Sequence, residues 1–169
     1  VSAVNVSQRL VDVAQDAGAR LELTPIGSTN IITRIRELQD AGEHVPVAGE
    51  GNGGVFFPDY RLARDGAYVG ARFLELLADQ PASDVVAPYD DYHNVRANVR
   101  YDDETERDAM RDAVADRAET TDAEMTTIDG YRFDHGDAWV LARPSGTEPL
   151  FRVYAEARDE DRARDLVED

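Results

Sequence analysis

Two loops in this sequence group side chains suited to hold a polar ligand. The first, Arg143-Pro144-Ser145-Gly146-Thr147-Glu148-Pro149, lies between two apolar stretches, Ala138 to Leu141 and Phe151 to Ala155. Arginine presents a planar fork of donors that matches phosphate, the hydroxyls of Ser145 and Thr147 add two more, and Gly146 lets backbone N–H groups approach an anion closely. Pro144 and Pro149 stiffen the two ends. The same residues would also build an ordinary hairpin turn with Arg143 in solvent. The second loop is Gly49-Glu50-Gly51-Asn52-Gly53-Gly54. A dinucleotide fingerprint needs a helix directly after such glycines, so that its N-terminus meets the pyrophosphate. Val55-Phe56-Phe57-Pro58 follows instead and excludes it. The Glu50 carboxylate and the Asn52 amide can accept hydrogen bonds from hydroxyls, and the carboxylate disfavours phosphate. The plainer alternative is a flexible turn with Glu50 solvated. Donors for an anion in one loop and acceptors for hydroxyls in the other describe a sugar phosphate as the ligand of both.

The elements that must position these loops alternate in the first half of the chain. Val1 to Asn5 reads as a strand, and Ser7 caps a helix with Leu10, Val11 and Ala14 on one face and Gly18 as its stop. A strand at Arg20 to Thr24, a turn at Pro25 to Gly27 and a helix with the stripe Ile31, Ile32, Ile35 and Leu38 follow, ending at Gly42. Val45 to Ala48 and Val55 to Phe57 read as strands on either side of the glycine loop, and Asp65 caps a helix through Leu77. This order predicts a layered α/β domain over residues 1–80. Residues 81–92 hold two prolines and several acids without periodicity and read as a linker. Beyond them the pattern is a strand near Val95 to Tyr101, a helix from Thr105 to Glu119, strands near Met125, Tyr131, Trp139 and Arg152, and a helix after Asp159. That order is α+β, over residues 93–169.

Composition limits the partners. The 169 residues carry 18 basic and 35 acidic side chains, a formal charge of -17, which excludes a general nucleic-acid binder and an anionic-membrane binder. No run of 18 apolar residues and no basic-then-apolar leader is present. Leu, Ile, Val and Phe number 38 of 169, about 22%, enough for a lean core. With 0 Cys there are no disulfides, thiolate metal sites or cysteine nucleophiles. All 18 basic residues are Arg, and Asp (22) outnumbers Glu (13). This pattern keeps a protein hydrated in concentrated salt, and it predicts a halophilic, cytoplasmic protein. The charge is uneven: residues 1–80 carry 7 Arg against 11 acids, and residues 81–169 carry 11 Arg against 24. The three histidines, His44, His93 and His135, lack paired metal spacing. The run Asp102, Asp103, Glu104 and Glu106 reads as a solvated face, and Trp139 as a core residue on the same side of its strand as Arg143.

The loop residues also carry a family resemblance. Arg143-Pro-Ser-Gly-Thr-Glu-Pro, with Phe151-Arg-Val-Tyr-Ala-Glu-Ala157, resembles the C-terminal phosphate-binding segment of the α-D-phosphohexomutases. Gly49-Glu-Gly-Asn-Gly-Gly-Val-Phe-Phe-Pro58, with Arg64-Asp-Gly66 after it, resembles the sugar-binding loop of the archaeal phosphomannomutase/phosphoglucomutase type, and Thr24-Pro-Ile-Gly27 resembles a turn of the same domain. The resemblance spans nearly the whole chain but only the last two of the family's four domains. It implies that the 1–80 domain is the third domain and that residues 93–169 form the C-terminal, TATA-box-binding-protein-like domain.

The resemblance further implies a phosphoryl transfer between O1 and O6 of a hexose through a phosphoserine and a hexose 1,6-bisphosphate intermediate, with Mg²⁺ assisting. Neither the phosphoserine segment nor the aspartate-rich Mg²⁺ loop of the family is found in this sequence. The resemblance thus implies a chain inactive by itself, with the missing N-terminal catalytic half as its partner. Position by position, Arg143, Ser145, Gly146 and Thr147 would grip the substrate's non-reacting phosphate, while Glu50 and Asn52 would hold sugar hydroxyls. Many relatives have Ser at the position of Asn52 and His at that of Gly54, so no proton-handling role attaches to Gly54. Pro25, Ser28 and Thr29 supply no basic group, so no catalytic acid or base is assigned there. A phosphoglucosamine mutase is the rival within the family, and a stand-alone, non-catalytic sugar-phosphate-binding module the rival outside it. A strand at residue 1 with nothing before it reads as a chain that starts in mid-protein.

Overall fold

A computed structural model describes all 169 residues and divides the chain into two units, Val1–Asp91 and Tyr92–Asp169. In chain order the first holds β1 (Ser2–Ala3), α1 (Gln8–Asp16), β2 (Leu23–Thr24), α2 (Ser28–Asp40), β3 (Ala48–Gly49), β4 (Val55–Phe56), α3 (Gly66–Leu76) and α4 (Ala82–Val86). The strands form one mixed sheet in the order β2-β1-β3-β4, parallel except for the hairpin between β3 and β4. Ile31, Ile35 and Leu38 bury one face of α2 against Ala3, Val45, Ala48 and Phe56. The expected helix caps are formed: Ser7 Oγ accepts from Arg9 N at 3.1 Å, and Asp65 Oδ1 from Tyr68 N at 3.1 Å.

Several elements differ from expectation. The strand foreseen at Val45 to Ala48 is shifted to Ala48–Gly49, because Pro46 has no N–H for a ladder and Val47 is exposed. The strand foreseen at Arg20 to Thr24 pairs only over Leu23–Thr24, since in the parallel register Leu23 lies opposite Ser2, the first residue of β1, and Arg20 to Glu22 lie opposite no residue of β1. α1 buries none of its residues fully, and a cavity of about 650 Å³ lies between its Leu10, Val13 and Ala14 and the strand-bearing body. The segment read as a linker is helical, as α4 and a short 3₁₀ turn at Ala87–Tyr89, and closes the first unit.

The second unit holds β5 (His93–Arg100), α5 (Glu104–Thr120), β6 (Glu124–Thr126), β7 (Tyr131–Asp134), β8 (Ala138–Pro144), β9 (Leu150–Ala157) and α6 (Glu160–Glu168). Its five strands form an antiparallel sheet in the order β5-β9-β8-β7-β6. α5 and α6 lie over one face, where Met110, Val114 and Leu166 meet Phe133, Val140 and Phe151 around a cavity of about 310 Å³. Alternation turns Arg132, Leu141, Arg143, Arg152 and Tyr154 to the other face. The acidic run before α5 is a helix start: Asp103 Oδ1 accepts from Glu106 N at 2.9 Å, and Glu106 Oε2 from Asp102 N at 2.8 Å. The two units are an α/β domain followed by an α+β domain.

Candidate functional site

In the second unit, the Arg143-to-Pro149 segment is the end of β8 and the connection to β9. Pro144 faces Phe151 in the ladder, and Ser145 N donates to Leu150 O at 2.7 Å, which closes the loop at its base. Within the loop, Thr147 N donates to Ser145 Oγ at 3.4 Å, while Gly146, Thr147 and Glu148 stand exposed. A methyl group on Gly146 would meet nothing within 4 Å, so the space over its backbone is open to a ligand. Arg143, the last basic residue before the loop, is largely buried, with 14% of its side chain exposed. Its Nε lies 3.2 Å from Asp129 Oδ1, close enough for charge attraction but off the line of a hydrogen bond.

Arg143 has a neighbour that sequence reasoning did not select. Arg152 stands directly opposite it in the β8–β9 ladder. Two like charges facing each other on a sheet repel, so each needs a counter-charge. Asp129 serves Arg143, and Glu148, within the loop itself, pairs with Arg152. The Tyr154 side chain, and after it Glu148, raise the pKa of Arg152 and keep it a cation. The signal for Arg152 was legible in the sequence: it lies two residues into the strand after the loop, on the face that alternation gives to Arg143. On the same face Trp139 is buried, with the Arg132 guanidinium 4.2 Å above its ring. Burial pushes the Arg132 pKa down, while Asp134 and Glu156 oppose the shift.

In the first unit, the glycine loop joins β3 to β4 and is closed by Glu50 N donating to Gly54 O at 3.0 Å. Glu50 turns inward, with only 9% of its side chain exposed. Three donors converge on its carboxylate: Ser28 Oγ at 3.2 Å, Asn52 Nδ2 at 3.0 Å and Arg64 Nη1 at 3.1 Å. Ser28 opens α2, so the carboxylate also sits at the positive end of a helix. Asn52 braces the loop, since its Oδ1 accepts from Gly54 N at 3.0 Å. One lone pair of that oxygen and about one of the four on the carboxylate remain for a ligand hydroxyl.

Arg64 and Ser28 are the residues of this network that sequence reasoning left out. Arg64 reaches Glu50 because its backbone is fixed by the cap at Asp65, and by Tyr68 stacked on Tyr60 at 4.1 Å and edge-on to Phe57 at 5.2 Å. It also passes over Gly54, where a Cβ would lie 2.4 Å from Arg64 Cδ. Glycine at 54 and arginine at 64 are therefore one device.

Of the six residues singled out from the sequence, the structure brings Glu50 and Asn52 into one hydrogen-bonded loop of the first unit. Arg143, Ser145, Gly146 and Thr147 form one loop of the second. His44 pairs with Asp59 at 2.9 Å, and no group of three or more His, Asp or Glu side chains is arranged to hold a metal. No helix is long and apolar enough to cross a membrane.

Comparison with known proteins gives this geometry a context. Residues 1–92 match the family model for the phosphoglucomutase/phosphomannomutase alpha/beta/alpha domain III, and residues 97–169 the model for the C-terminal domain of the same family. The chain is 34% identical over 170 residues to a phosphoglucomutase/phosphomannomutase of Thermococcus kodakarensis, covering 99% of this chain and 36% of that protein. It is 36% identical over 168 residues to a probable phosphoglucosamine mutase of Methanopyrus kandleri, covering 97% of this chain and 36% of that protein. A crystal structure of a phosphoglucomutase/phosphomannomutase family protein from Burkholderia thailandensis superposes with a TM-score of 0.80 at 27% identity, covering 99% of this chain and 35% of that one. The chain thus spans about a third of the length of the relatives it matches. The chain belongs to the phosphoglucomutase/phosphomannomutase family, of which it carries domain III and the C-terminal domain.

Proposed function

We propose that this chain is the sugar-phosphate-recognising part of a phosphohexomutase that interconverts hexose 1-phosphate and hexose 6-phosphate. The observation that carries the reading is the facing pair Arg143 and Arg152 at the base of an exposed Ser-Gly-Thr loop. Each arginine has one carboxylate partner, Asp129 or Glu148, and together the two guanidinium groups offer a phosphate dianion adjacent donors on one face of the sheet. Arg143 and Arg152 supply charge, Ser145 and Thr147 hydroxyl donors, and Gly146 a close backbone approach. Glu50 and Asn52 accept from sugar hydroxyls at the lone pairs that Ser28, Arg64 and Gly54 leave open.

These groups bind and orient. A fixed near-attack geometry contributes several kcal/mol, of order 7 or more, to lowering a barrier. In the whole enzyme the transfer itself would fall to residues outside this chain, where the family resemblance implies a phosphoserine, an assisting Mg²⁺ and a hexose 1,6-bisphosphate. No cluster in this chain fits a metal, so Mg²⁺ enters none of the roles given to its residues. The chain alone is therefore inactive in this reading, and it acts in a cytoplasm rich in salt. Glucosamine phosphate is the alternative substrate: the relative named a probable phosphoglucosamine mutase is as similar as the one named for glucose and mannose. A carboxylate such as Glu50 also suits an ammonium group, although Arg64 already occupies part of it.

The test is a calorimetric titration of the chain in molar KCl with inorganic phosphate, glucose 1-phosphate, mannose 1-phosphate and glucosamine 6-phosphate, with Trp139 fluorescence alongside. The reading expects saturable phosphate binding that is lost in Arg143→Ala and weakened in Arg152→Ala. It also expects a tighter grip on sugar phosphates than on phosphate, abolished by Glu50→Ala. Equal affinity of both single arginine variants and the wild type would overturn it.

A further inference from the structure

We propose that Asp129 is a positioning residue: it fixes the Arg143 guanidinium in the orientation that presents its fork to phosphate. The inference rests on the phosphate reading above, and two observations carry it. Asp129 Oδ1 lies 3.2 Å from Arg143 Nε, a buried nitrogen with no aligned hydrogen-bond acceptor. Contact at Nε leaves the two Nη groups, the edge suited to bidentate phosphate, at the far side of the plane. The second observation is the next residue. Gly130 has φ +88°, and a Cβ there would lie 2.5 Å from both Ala142 O and Arg143 Cβ. Both contacts are with atoms at or next to the main chain, so no side chain fits between this turn and β8. Glycine lets the turn press against the strand at Arg143, and that approach carries the Asp129 carboxylate to the guanidinium.

Charge alone predicts the opposite behaviour. A carboxylate close to an anion site repels the anion, so if Asp129 did nothing but add charge, its removal would strengthen phosphate binding. If it positions Arg143, removal leaves a buried cationic nitrogen uncompensated, the guanidinium swings away, and binding weakens. The sign of the change separates the two.

The experiment titrates inorganic phosphate into the 169-residue chain and its Asp129→Asn and Asp129→Glu variants in molar KCl. Nε–H resonances of the arginines are recorded in parallel, with Arg143 assigned by its loss in Arg143→Lys. The expected result is a resolved, slowly exchanging Arg143 Nε–H in the wild type that averages into the exposed arginines in Asp129→Asn. Phosphate affinity should fall about tenfold or more, the scale of one charge-assisted hydrogen bond. Asp129→Glu should restore both readouts in part, and the backbone amide spectrum should show each variant folded. Unchanged or tighter phosphate binding by Asp129→Asn, or an unmoved Arg143 resonance, overturns the positioning role and leaves the phosphate site standing. A wild type that shows the ordered Arg143 resonance but binds no phosphate overturns the phosphate reading, and this inference with it. If Asp129→Asn does not fold, Gly130→Ala replaces it: the same loss of the resonance and of affinity is expected, and retention of both overturns the proposal.

Discussion

At the scale of single residues, the two loops differ in how their chemistry is stored. Arg143 and Arg152 carry theirs in the side chains themselves, and a strand's alternation makes the pair legible. Glu50 is different, because its carboxylate is shaped by Ser28, Asn52 and Arg64, at sequence distances of 22, 2 and 14. The residue type announced an acceptor, while the donors that occupy it come from the start of one helix and the approach to another. Gly54 shows the same dependence, since its lack of a side chain matters only because Arg64 crosses it at 2.4 Å from where a Cβ would stand. Gly54→Ala is therefore expected to push Arg64 off Glu50. Discrimination between a sugar phosphate and phosphate should change, while affinity for phosphate alone stays as in the wild type. Paired titrations of the variant with glucose 1-phosphate and phosphate check this. Equal effects on both ligands would mean that Arg64 has no part in hydroxyl recognition.

At the scale of elements, the long helices were legible to within a residue or two, while the short α4 inside the segment read as a linker and the two-residue strands were not. α3, α5 and α6 begin where the side chains of Asp65, Asp103 and Asp159 cap them, and α2 ends just before Gly42, and these are local signals. Strands β1 to β4 have two residues each, so their limits are set by the partner strand: β2 stops where β1 turns, and β3 starts after Pro46. The caps give two predictions. Asp103→Ala removes the side-chain cap of α5 and should cost about 1 kcal/mol, read from urea unfolding. The Asp65 carboxylate is held below the ordinary aspartate pKa, chiefly by the Tyr68 N–H; burial opposes this, and Arg61 adds to it. With its folded pKa depressed, the stability it contributes is complete above the unfolded value and is lost as pH falls through the folded one. Asp65→Asn keeps a capping oxygen and loses the charge. It should therefore be less stable than the wild type at neutral pH, with the gap closing as pH falls below the ordinary aspartate range. A gap independent of pH would show that the charge is immaterial.

At the scale of the whole chain, the net charge of -17 makes the response of the fold to salt a test of its electrostatics. Val1–Asp91 carries 7 Arg against 14 acids, and Tyr92–Asp169 carries 11 Arg against 21. The excess is thus -7 over 91 residues in one unit and -10 over 78 in the other. Self-repulsion opposes compaction in both, and more strongly in the second, where the excess charge per residue is larger. Raising the ionic strength from 0.1 M to 1 M shortens the screening length from about 10 Å to about 3 Å, below the spacing of most surface charges. Both units should gain stability from KCl, and the Tyr92–Asp169 unit should gain more. Hydrogen exchange at two salt concentrations measures this directly: amides of β8 and β9 should gain more protection from molar KCl than those of α2. Sodium sulfate at equal ionic strength separates screening from surface exclusion, which would stabilise in proportion to apolar area instead of charge. A larger gain in α2 than in β8 and β9 under KCl would mean that apolar packing, not self-repulsion, limits this protein in dilute buffer.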